Sequence, residues 1–150
     1  DATPASALTA ASPRLINVSV LKQIGLGETV TTGFVVAGSP AKKVLIRAVG
    51  PALGVAPFNI DRVMSDPRID LYSGTTVIAS NDNWGSPTTT TAANATTLAA
   101  AFVQVGAFAL PAASKDAALI ATLSEGAYTA RISGVNNASG WAITEVYEVP

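Results

Sequence analysis

From residue 15 onward, apolar and polar positions alternate with a period of two along most of the chain. Residues 15–20 place Ile16, Val18 and Val20 on one face of a strand and Asn17 and Ser19 on the other. After the turn Gly25-Leu26-Gly27, residues 29–37 give a second strand with Val30, Phe34 and Val36 together, and Gly33 is a candidate bulge. Residues 43–49 differ. Val44, Ile46 and Ala48 share one face, but Leu45 stands with Arg47 on the other, so both faces are partly apolar and the strand reads as central. Gly50-Pro51 ends it.

Residues 52–66 have no such alternation and read as a loop, with Phe58 and Met64 expected to cap one end of the core. Residues 69–72 and 76–79 flank Ser73-Gly74-Thr75 as a hairpin. Residues 80–91 form a polar loop. Residues 92–102 are Ala-rich, with Leu98 and Phe102 four apart, and predict one short helix, with a weak strand over 103–110 after it. Residues 116–123 and 128–135 are strands joined by Ser124-Glu125-Gly126, and residues 141–149 close the domain. About eight short strands separated by Gly and Pro turns predict an all-β fold, an antiparallel sandwich or barrel. The domain spans residues 14–150. Ahead of it, residues 1–13 carry Pro4 and Pro13, small side chains and little apolar bulk, and read as an extended N-terminal arm.

Composition adds to this picture by what it removes. The chain has no Cys and no His, so disulfides, thiol chemistry, imidazole bases and imidazole ligands are all missing. Charged residues make up 13% of the sequence, against about a quarter in an average soluble domain. The net charge is -1 and the mean hydropathy is +0.39. Such a surface repels its own copies weakly and suits packing against itself or a matrix. The nine Lys and Arg residues are scattered, with Lys42-Lys43 adjacent, and form no stripe for nucleic acid. No apolar run reaches the ~18 residues that insertion in a membrane needs. The small residues after Asp1 resemble a mature terminus left by signal-peptide removal, which places the expected location outside the cell or on its surface.

The run Asp70-Leu71-Tyr72-Ser73-Gly74, followed by Val77-Ile78-Ala79-Ser80-Asn81-Asp82-Asn83-Trp84, resembles the bacterial pre-peptidase C-terminal domain family, in which a D-L-Y-x-x-G turn precedes an A-S-N-D loop. The segment from Leu123 through Gly126 and Tyr128 to Ile132 is similar to that family's closing hairpin, and Gly140 to Tyr147 continues the likeness. The strand over 43–50 with Pro51-Ala52-Leu53 resembles related, uncharacterised modules of large secreted bacterial proteins. The resemblance implies a jelly-roll-like sandwich that serves adhesion, secretion or polymer binding, with calcium bound in some members.

Candidate chemistry centres on one loop. Asn81, Asp82 and Asn83, with Asp70 or Asp66 approaching from the neighbouring strand end, offer the hard oxygens that calcium takes. The same Asx residues also form ordinary turns. Trp84 beside Gly85 is a candidate platform for sugar stacking, whereas Trp141 in the last strand is expected in the core. Ser114 and Lys115 are adjacent and point apart in a strand, and Asp66 and Asp70 fit turn and strand-end roles better than a glycosidase pair. The sequence therefore predicts no enzyme. Asn17, Asn94 and Asn137 match the glycosylation pattern, and residues 86–91 match a Thr-rich acceptor run.

Taken together, these features predict a non-catalytic extracellular structural domain, a self-assembling subunit of a bacterial surface fibre or layer joined by strand addition or arm exchange. Its partners would be copies of itself, with Asp1, Ala2, Thr3, Ala5, Leu8 and Pro13 in the assembly arm. The alternative is a calcium-assisted carbohydrate- or polymer-binding module, with extracellular polysaccharide as partner. No cofactor other than calcium is implied.

Overall fold

The computed structural model describes residues 15–86 and 92–150. Among the described residues there are eight strands: β1 (Asn17–Ile24), β2 (Val30–Val36), β3 (Lys42–Val49), β4 (Pro67–Ser73), β5 (Thr76–Asn81), β6 (Ala117–Leu123), β7 (Gly126–Gly134) and β8 (Gly140–Val149). One helix, α1 (Ala95–Gln104), lies between β5 and β6. The strands form two four-stranded sheets, ordered β1-β8-β3-β6 and β2-β7-β4-β5, with every neighbouring pair antiparallel. Except for the β4–β5 hairpin, each strand is followed by one in the other sheet. This connectivity is a jelly roll.

Period-two alternation places the core between the sheets. Val44, Ile46 and Ala48 of β3, Ala142 and Val146 of β8, and Ile24 of β1 face Ile69, Leu71, Ala130 and Ile132 of the opposite sheet. The other face of β3 is buried too. Leu45 and Val49, with Ala118, Tyr147 and Val149, pack under Leu98, Ala101 and Phe102 of α1 and under Trp84, Ala52, Leu53 and Leu110. The long β5–β6 connection thus roofs one sheet, which is why β3 carries apolar side chains on both faces.

Several expectations are corrected. β1 runs on to Ile24, and β2 pairs with β7 without interruption at Gly33; the irregularity falls between Leu71 and Tyr72 instead. The expected strand over 103–110 is absent. α1 continues to Gln104 and ends with Gly106 at φ 71°, where Ala107 N–H donates to Phe102 O and Gly106 N–H to Val103 O. These two bonds satisfy the last carbonyls as a Schellman motif, so the segment turns and does not extend. The helix starts at Ala95, because the Asn94 side chain accepts from Thr97 N–H and caps it. Met64 is fully buried, whereas Phe58 is 41% exposed and lies against Phe108. Trp141 is half-buried.

The antiparallel order gathers four connections, over 25–29, 50–66, 82–116 and 135–139, at one end of the sandwich. The start of β1 and the end of β8 lie at the other, beside the short turns.

Candidate functional site

The Ser80–Trp84 loop follows β5 into the long roof connection. Asn81 pairs with Ile69 and faces inward. Its amide oxygen accepts from Ala118 N–H at 3.1 Å and its NH2 donates to Asn83 O at 3.2 Å. Asp70 pairs with Ser80, on the outward face. There it accepts from Ser80 Oγ at 2.7 Å, Arg68 Nε at 3.0 Å and Arg131 Nη2 at 3.1 Å. Burial raises the Asp70 carboxyl, but the bonds from Arg68, Ser80 and Arg131 outweigh it and hold the group below its ordinary value. The bond to Asp70 likewise holds Arg68 above its ordinary value, with Asp82 contributing at longer range.

Asn81 and Asp70 therefore point to opposite faces of one sheet, and the four residues expected to share a calcium ion are not brought together. Asp82 and Asn83 are half-buried. Asp66 is buried and accepts from Lys115 Nζ at 2.6 Å. Among the described residues, no three His, Cys, Asp or Glu side chains converge as metal ligands.

Trp84 is not a platform. It is 7% exposed, its ring is tilted against Phe102 at 5.7 Å, and its Nε1–H donates to Pro111 O and Ser114 Oγ, both at 3.2 Å. The indole anchors the roof connection to the sheet and presents no open face to a sugar.

Two buried polar arrangements escaped sequence reasoning. Arg47 is fully buried under the roof. Its Nε donates to Glu145 Oε2 at 2.8 Å and its Nη1 to Phe108 O at 2.6 Å, while its guanidinium lies 4.8 Å from the Phe102 ring and 4.4 Å from the Phe108 ring. Tyr147 Oη donates to Glu145 Oε1 at 2.8 Å. Burial, reinforced by the bond to Glu145, pushes the Tyr147 phenol up to about 12. The available signal was an Arg on the second apolar face of β3. Asp116 is also fully buried; it accepts from Gly50 N–H, Ala52 N–H and Ser114 Oγ, and so holds the 3₁₀ turn Pro51–Gly54. Both arrangements fasten elements together.

β1 leaves one side of its backbone unpaired among the described residues. It is one of the two edge strands of its sheet, bonded to β8 on one side. Glu148 N–H donates to Ile16 O, so the even-numbered residues face β8 and the backbone groups of Asn17, Ser19, Leu21 and Gln23 point to the open side. Around this edge, Leu15 is 82% exposed, Ile16 61%, Leu21 49% and Val20 39%. Ile16, Val18 and Val20 lie on the core-facing side, in register with Glu148, Val146 and Thr144, so even that side is incompletely covered. The proposed arm residues Asp1, Ala2, Thr3, Ala5, Leu8 and Pro13, and residues 87–91 of the Thr-rich run, lie outside the described residues.

Comparison with family models, curated proteins and solved structures finds no match.

Proposed function

We propose that this chain is a non-catalytic extracellular structural domain that assembles with copies of itself, a segment of one subunit being added as a strand along the β1 edge of the next. The observation that carries this reading is the β1 edge. It is eight residues long, contains no Pro, carries Lys22 as its one charge, and pairs with β8 without a bulge. Natural sheet edges are usually blunted by charges, proline or bulges, because unpaired amides recruit other strands. β1 has little of that protection and exposes apolar side chains as well. Affinity would come from main-chain hydrogen bonds and selectivity from alternate side chains.

Residues 1–13 are the proposed donor, since they precede β1 and are long enough to run along eight residues of a neighbour's edge. A donor on one subunit and an acceptor on the next make a contact that does not close on itself, and such contacts build fibres. A non-catalytic role is supported by a sequence without His or Cys and by buried acids engaged with partners at Asp66, Asp70, Asp116 and Glu145. An extracellular setting is supported by the resemblance of the Asp70–Trp84 run to modules of secreted bacterial proteins.

Deleting residues 1–13 tests the donor. The expected result is soluble monomers with an unchanged circular-dichroism spectrum and no filaments by electron microscopy. Unchanged assembly would exclude the arm.

A further inference from the structure

At the crowded end of the sandwich, an open groove of about 500 Å³ is lined by Gln23, Ile24, Gly25, Glu28, Arg62, Ser139 and Gly140. The groove is open to solvent, so a ligand would lie along it and not be enclosed. Three connections supply the lining, and each holds residues in the left-handed region: Gly27 at φ 71°, Asn59 and Arg62 at 50° and 54°, and Asn136 and Asn137 at 50° and 61°. Gly140 makes the close approach that joins them. A Cβ there would lie 2.4 Å from Arg62 O and 2.6 Å from Met64 N.

Asn adopts left-handed backbone readily, but Arg does so at a cost. Nothing among the described residues compensates that cost through the side chain, since Arg62 is exposed and makes no ion pair or side-chain hydrogen bond. Its carbonyl accepts from Trp141 N–H, a bond that any residue at this position would make. Among the described residues the guanidinium therefore has no partner. The same groove is lined by Gln23, Ser139 and Glu28, whose Oε2 already accepts from Gly25 N–H.

We propose that this groove binds a uronic-acid unit of an acidic polysaccharide, with Arg62 pairing the sugar carboxylate and Gln23, Ser139 and Glu28 meeting its hydroxyls. A planar guanidinium matches a carboxylate with two parallel bonds. The mixed donors and acceptors suit hydroxyls, which both give and take hydrogen bonds. This site goes beyond the assembly role and is separate from Trp84 and the Asn81–Asn83 loop.

Saturation-transfer NMR on the full chain, with glucuronic acid and with glucose as probes, tests it. Transfer to glucuronic acid is expected, with glucose about tenfold weaker for want of one charge-assisted interaction. Arg62→Gly and Arg62→Asn both tolerate the left-handed backbone, so each should fold, melt no lower than the parent and lose glucuronic acid binding. Equal binding of the two sugars, no transfer to either, or full glucuronic acid binding by both variants would overturn the proposal. Neither variant touches the β1 backbone, and assembly measured in parallel separates this result from the strand-addition reading.

Discussion

Arg47 shows how the molecule uses one of its few charges. A guanidinium with no exposure has lost its water, and Glu145, the Phe108 carbonyl and two aromatic faces replace it incompletely, since Nη2 has no partner among the described residues. Truncation would leave Glu145 buried and unpaired. Arg47→Ala should therefore cost about 3–5 kcal/mol in a urea or guanidinium titration. Arg47→Met combined with Glu145→Leu and Tyr147→Phe should regain most of that loss, because no charge is then stranded. Tyr147 supplies a separate test. Its folded pKa of about 12 exceeds the ordinary 10.0, so its protonated form is favoured by folding. That contribution is fully present below pH 10 and is lost as pH rises through 12. Stability measured against pH should fall over this window in the parent, and the fall should be smaller in Tyr147→Phe.

At the scale of elements, the crossover that carries α1 decides what Trp84 does. With its ring against Phe102 and its N–H satisfied, Trp84→Ala should cost about 3–5 kcal/mol by denaturant titration, as core truncations do. An exposed platform would cost within about 0.5 kcal/mol. The strands were legible because half-buried strands alternate, and the apolar second face of residues 43–49 correctly announced a central strand covered on both sides. What covered it was not legible. Nothing local in Ser80–Trp84 says that the following segment folds back over the sheet, so an Asn-Asp-Asn-Trp run read as an open loop is in fact an attachment. The end of α1 was misread for a related reason. Val103 to Leu110 has β-like composition, but the Schellman bonds around Gly106 and the packing of Phe102 override it. The candidate calcium set failed on parity, since Asn81 and Asp70 face opposite ways across their sheet. The groove at Arg62 left no mark in the sequence, because a left-handed Arg can be seen only in the backbone.

At the scale of the whole molecule, a jelly roll with one sheet roofed and an apolar β1 edge meets a surface that carries a net charge of -1. Little long-range repulsion opposes contact between copies. Lys at Val20 and Leu21 would place charge on both faces of β1 where side chains are already 39% and 49% exposed, so Val20→Lys with Leu21→Lys should change stability by less than about 1 kcal/mol. Sedimentation velocity over a range of concentrations compares this variant with the parent chain. Species growing with concentration in the parent, and a 15.1 kDa monomer throughout in the variant, are the predicted results. A parent that stays monomeric at every concentration, or a variant that assembles equally well, would contradict a β1 edge built to receive a strand.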